Sequence, residues 1–175
     1  MEELVLLRPT AFYAEQILEC KKEYLAAGSS MDGCGPLRRT EDPMEYIKEC
    51  ALEEDPETCP APLVPATQFM LIRKADDRVL GFLQVRHEFN EYLSTFGGHI
   101  GYSVRPSERR RGYAKEMLRM ALPYCREIGL DKVLITCTDG NIGSEKTILA
   151  NGGVYESTVH EPNDRVDLKR FWITL

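Results

Sequence analysis

Apolar residues change their spacing several times along the chain, and each change marks an element. Residues 3 to 8 form a short apolar strand, after which Pro9 stops the strand and Thr10 is placed to cap a helix. That helix has Ala14, Ile17, Leu18, Tyr24 and Leu25 at three- and four-residue intervals, and Gly28 closes it. Residues 29 to 37, with Gly33, Gly35 and Pro36, read as a loop. Thr40 is then predicted to cap a second helix over residues 41 to 53.

Four prolines between residues 56 and 65 make a stiff connector, and strands follow at 67 to 74, 79 to 86 and 98 to 105. Asp76 and Asp77 sit in the hairpin turn between the first two. The clearest helix spans 111 to 128, with Ala114, Met117, Leu118, Ala121, Leu122, Cys125 and Ile128 on one stripe and Gly129 at its end. A buried strand at 132 to 138 precedes a short helix that Asn141 caps and Gly152 and Gly153 close. Two last strands, 154 to 160 and 165 to 174, flank Glu161 to Asp164. The alternation predicts one mixed α/β domain over residues 1 to 175.

Composition narrows this picture. The chain has 175 residues, 43% of them hydrophobic, which is enough to fill one core, and no apolar run is long enough to cross a bilayer. The Met-Glu-Glu start lacks the basic region of a secretory leader, so a cytoplasmic protein with reduced thiols is expected. The six cysteines contain no Cys-x-x-Cys pair, and neither a metal site nor a disulfide framework is expected. A net charge of -6 disfavours nucleic acid as a partner. Eight of the acidic residues crowd positions 41 to 57 against Lys48 alone. They form either a solvated face or a wall that attracts a cationic substrate.

The chemistry concentrates between Val104 and Ala114, where a strand leads through Arg109, Arg110 and Arg111 and Gly112 into the amphipathic helix. The free N–H groups of a first helical turn, its positive dipole end and added arginines make an anion site suited to a pyrophosphate. Read from the residues alone, the same stretch is equally a solvated arginine loop with a turn glycine. It has neither the Gly-Lys-Ser/Thr ending of a Walker loop nor the dinucleotide fingerprint.

Arg109-x-x-Gly112-x-Ala114 resembles the Arg/Gln-x-x-Gly-x-Gly/Ala loop of the GNAT superfamily of N-acetyltransferases, with Val104 and Pro106 also in place. Asn141-x-x-Ser144 resembles the motif opening that family's next helix. Gly152 falls at its later turn, and Gly97-Gly98-His99-Ile100-Gly101-Tyr102 is similar to a strand in one branch of predicted acetyltransferases. The resemblance implies a mostly antiparallel central sheet of six to seven strands flanked by about four helices. It implies acetyl-CoA as cosubstrate, with Tyr102, Ser103 and Val104 holding the pantetheine arm and acetyl carbonyl. The N–H groups of Arg109, Arg110, Arg111, Gly112, Tyr113 and Ala114 would hold the pyrophosphate, and Asn141 and Ser144 the arm.

The implied acceptor is a primary amine of a small molecule, peptide or protein, and a homodimer is compatible with the family. An amine of pKa about 10.4 must lose a proton before it attacks, so a base is needed, and His99, His87 and Glu88 are the candidates. Ile148 stands where many relatives have the tyrosine that protonates the departing thiolate. Tyr155, Tyr102 and Cys137 are the nearby substitutes. That departure keeps a silent coenzyme A binding module open as an alternative, beside an enzyme using a longer acyl group.

Overall fold

The computed structural model describes residues 2–175. Seven strands and four α-helices alternate along the chain: β1 Leu4–Leu7, α1 Ala14–Ala26, α2 Pro43–Glu54, β2 Ala66–Arg73, β3 Arg78–Arg86, β4 Ile100–Val104, α3 Tyr113–Glu127, β5 Lys132–Thr138, α4 Ile142–Ala150, β6 Val154–Glu161 and β7 Val166–Thr174. The strands form two antiparallel sheets rather than one continuous layer, a four-stranded β1-β2-β3-β4 and a three-stranded β5-β7-β6. The seven strands and their antiparallel pairing match the sequence expectation.

β2 and β3 are buried on both faces, which explains their nearly continuous apolar runs. On one face Phe69, Leu71, Leu80 and Leu83 pack against α3 through Met117, Leu118 and Ala121. On the other, Met70, Ile72 and Phe82 meet Ile17 and Tyr24 of α1 and Tyr46 of α2. A side chain fully buried in either cluster contributes roughly 1.5–3 kcal/mol.

Two helix starts differ from the sequence reading. Asp42, not Thr40, caps α2 by accepting the Met44 N–H at 2.8 Å, and Pro43 takes the first helical position, where it forfeits no hydrogen bond. Thr40 is instead buried, donating its hydroxyl to the Pro36 carbonyl. Thr10 makes no side-chain cap, because a short 3-10 turn at Ala11–Tyr13 precedes α1. By contrast, Asn141 caps α4 as predicted, with Oδ1 accepting the Ser144 N–H at 3.1 Å.

Where the two sheets meet, the backbone N–H of His99 donates to the Leu134 carbonyl at 2.7 Å, and the Leu134 N–H donates to the His99 ring Nδ1 at 2.9 Å. An imidazole thus stands where a continued ladder would place a backbone carbonyl. Beyond it β4 and β5 diverge and open a cleft of about 860 Å³.

Candidate active site

The cleft runs between the diverging edges of β4 and β5, with the start of α3 at one end and the β6–β7 turn at the other. Bonds from Arg86 N–H to the His99 carbonyl and from Arg105 N–H to the Leu80 carbonyl set the parity of the β3–β4 ladder. Since backbone groups alternate in direction along a strand, the N–H groups of Tyr102 and Val104 face the open edge. The Val104 carbonyl on that edge accepts Nε of Arg109 at 3.1 Å, and Arg109 also reaches Ser29 Oγ at 3.0 Å.

The turn into α3 is left-handed at Arg110 (φ 63°) and at Gly112 (φ 84°). Among the described residues, the backbone N–H groups of Arg110 through Lys115 have no acceptor. They form a row of free donors at the positive end of a fifteen-residue helix. Tyr113 contributes its N–H only, because its buried ring locks the helix start through bonds from Arg73 and to Glu2.

Arg105, a fourth arginine within the Val104 to Ala114 stretch, does not join this basic group. Arg105 is buried and pairs with Glu19 and Glu23 of α1, which ties the loop to that helix. Arg111 turns its guanidinium to Glu108 at 3.1 Å, away from the cleft lining, while Arg109 and Arg110 line it. Glu108 also receives Arg73 and Arg78. Burial raises the pKa of its carboxyl, but the bonds from Arg78 and Arg73 outweigh that, and the net direction is down.

Asn141, Ser144, Tyr102, Ser103 and Val104 line the cleft together. The Tyr102 hydroxyl lies 2.8 Å from Ser144 Oγ, spanning the gap between β4 and α4, and burial pushes its pKa up. Ser103 turns the other way, to Tyr24 and to the Cys34 thiol. Ile148 is fully buried in the core, so its position contributes no group to the cleft. Cys137 lines the cleft, but burial raises its thiol to about 11 and keeps it protonated near neutrality. Tyr155 lies outside it, paired with Thr158.

The three expected bases lie elsewhere. None of His99, His87 and Glu88 lines the cleft. His99 is used in the β4–β5 junction, and burial, helped by the charge of Arg86, lowers its pKa to about 4. His87 bonds through Nε2 to Thr67, which in turn meets the Tyr124 hydroxyl, on the far side of β3. Glu88 is exposed at the end of that strand.

The acidic helix is also not a wall of the cleft. No residue from 41 to 57 lines it, and several of those carboxylates are taken by Arg8, Arg39 and Lys21. The cleft draws its acidic groups from Asp32, Glu161 and Asp164 instead. Sequence reasoning missed Asp32 because residues 29 to 35 carried only turn signals. A close approach of Gly33 to β4 brings that loop in, since a Cβ at Gly33 would meet the Gly101 carbonyl oxygen at 2.1 Å. Among the described residues, no group of three or more histidine, cysteine or acidic side chains could hold a metal ion.

A strand opening onto a donor-rich helix start, beside a split between two antiparallel sheets, is the arrangement of an acyltransferase of the acetyl-CoA type. The family model described as acetyltransferase (GNAT) family matches residues 36–150, and the chain belongs to that family. Solved structures of similar fold include a microcin self-immunity acetyltransferase in complex with acetyl-CoA and AMP, at 16% identity and TM-score 0.72 over 100% of this chain and 94% of that one. A ribosomal alpha-N-protein acetyltransferase in complex with coenzyme A matches at 14% identity and TM-score 0.70, covering 98% and 94%. A spermidine N-acetyltransferase from Vibrio cholerae, in complex with CoA and spermine, matches at 16% and 0.68, covering 98% and 95%. At these identities the likeness is one of fold. No curated protein matches the chain.

Proposed function

We propose that this single domain, residues 1 to 175, is an acetyl-CoA dependent N-acetyltransferase that moves the acetyl group directly to a primary amine. The observation that carries this reading is the row of acceptorless N–H groups from Arg110 to Lys115 beside the open edge of β4. Such a row suits a pyrophosphate, and the cleft volume suits an extended cosubstrate. Six unpaired thiols suit a reducing compartment such as the cytoplasm, and no helix among the described residues is long and apolar enough to cross a membrane.

Acetyl-CoA, when bound, supplies an activated thioester. Arg109 and Arg110 with the first turn of α3 bind the pyrophosphate. Asn141 and Ser144 hold the pantetheine arm. The N–H groups of Tyr102 and Val104 meet the negative charge that develops on the carbonyl oxygen, an effect of roughly 3–4 kcal/mol per donor. Tyr102 replaces the tyrosine absent at Ile148 and holds the proton that the departing thiolate needs. Asp32, on the loop pressed against Gly101, is the carboxylate that takes the amine proton through water.

Calorimetric titration with acetyl-CoA, followed by free-thiol release over an amine panel, tests the reading. Binding with amine-dependent thiol release is expected. Absence of binding at sub-millimolar concentration would sink the assignment, and binding without turnover would leave a silent coenzyme A module. Faster turnover with a longer thioester would reassign the acyl group.

A further inference from the structure

The floor of the cleft on the side away from α3 holds two polar side chains whose hydrogen-bonding capacity the protein fills only in part. Gln84 is 8% exposed, lines the cleft, and makes no side-chain hydrogen bond among the described residues. Two residues along the same strand, and so on the same face, Arg86 donates Nη1 to the carbonyls of Gly97 and Gly98 at 3.1 and 3.2 Å. Those neutral acceptors are all it has. Arg86 makes no ion pair among the described residues, and Asp32 acts on it only at a distance. Burial lowers the pKa of this guanidinium, and the charge of Asp32 offsets that only in part.

Glycines let the 33–35 loop close in beside these groups without covering them with side chains. A Cβ at Gly101 would lie 3.0 Å from Gly33 N and 3.3 Å from Arg86 Nη2, and one at Gly35 would lie 2.6 Å from Gln68 Oε1 and 3.2 Å from Gln84 Nε2. Arg86 is half-buried, and a ligand that supplies the missing anion while excluding the remaining water gains a charge-assisted bond to a cation with no counterion of its own. Asp32 and Asp164 line the same cleft with the opposite charge.

We infer that the acceptor is an amine that also carries a carboxylate, an amino acid in class, with its carboxylate on Arg86 and Gln84 and its ammonium toward the cleft aspartates. The inference rests on the transferase reading above and narrows its acceptor. A carboxylate on a planar guanidinium forms parallel charge-assisted bonds, and the Gln84 amide adds a neutral one. A polyamine fits this floor poorly, because its second ammonium would meet the unpaired cation of Arg86.

The test compares amino acids with their carboxylate-free counterparts, leucine with 3-methylbutylamine and lysine with cadaverine, by thiol release from acetyl-CoA. In the wild type, kcat/KM is expected to favour the carboxylated member by on the order of ten- to a hundredfold. In Arg86→Gln that ratio should fall toward unity, mostly through KM, and Arg86→Lys should restore part of it. Equal or better use of the carboxylate-free amines by the wild type overturns the inference and leaves the transferase intact. A ratio unchanged in Arg86→Gln while both rates fall also overturns it, since Arg86 would then serve only the fold. No turnover with any amine, or no acetyl-CoA binding, removes the transferase reading itself.

Discussion

His99 Nδ1 accepts the N–H of Leu134 at 2.9 Å while its own backbone N–H donates to the Leu134 carbonyl, so one residue joins the two sheets through both backbone and side chain. The bond requires a neutral ring. Burial and Arg86 hold the pKa near 4 in the fold, against an ordinary value of 6.5. The unfolded chain therefore takes up the proton first as pH falls. The stabilisation is complete above pH 6.5 and is lost progressively down to about pH 4, by about 2–3 kcal/mol after allowance for partial solvent access. Urea midpoints from pH 7 to pH 4 should decline in the wild type, and the part owed to this residue should vanish in His99→Gln. A decline of the same size in both would refute it.

Gly112 adopts φ 84°, and a Cβ placed there would meet nothing within 4 Å, so strain and not collision opposes a side chain. Gly112→Ala should cost about 1 kcal/mol in thermal or urea stability and weaken acetyl-CoA binding by disturbing the donor row. Arg110→Glu, which reverses a charge in the cleft lining, should weaken that binding more than Arg111→Glu does. Calorimetry at two salt concentrations checks both, since the Arg110 effect should shrink as salt screens it.

Tyr102→Phe removes the tyrosine hydroxyl that spans from β4 to Ser144. Loss of this proposed proton donor should lower kcat by on the order of a hundredfold with little change in KM for acetyl-CoA. An equal loss in both Tyr102→Phe and Ser144→Ala, confined to KM, would mean that the pair only holds the arm.

Glu108 is a single buried carboxylate serving Arg73, Arg78 and Arg111. Neutralising it leaves those guanidiniums without their shared counterion, and Glu108→Gln should destabilise the protein by about 3 kcal/mol. Because its pKa is depressed in the fold, the stabilisation is present above the ordinary carboxylate value and is lost as pH falls through the lowered one. Urea midpoints of wild type and Glu108→Gln should converge on acidification.

Local signals were legible wherever spacing alone decides an element. The stripe of α3, the Asn141 cap and the Asp76-Asp77 hairpin stand where periodicity and cap chemistry put them. The donor loop was legible too, because a strand, a glycine and a helix start lie next to one another in the chain. The partners of charged groups were not legible. Nothing in the run Arg105 to Arg111 tells that Arg105 faces Glu19 and Glu23, more than eighty residues earlier, or that Arg111 faces Glu108.

The histidines show the same division. Position in sequence put His99 near the reacting edge, and the fold spends its ring nitrogen on Leu134, thirty-five residues on. The acidic stretch 41 to 57 dominated the composition, yet α2 turns its carboxylates to Arg8 and Arg39 and away from the cleft. The sequence by itself determined the elements, their order and the donor-rich turn, since each depends on residues within a few positions of one another. Tertiary structure alone decided which charges remain free: whether an arginine or an acid is already neutralised depends on groups far away in the chain. That accounting leaves Arg86 and Gln84 open on the cleft floor.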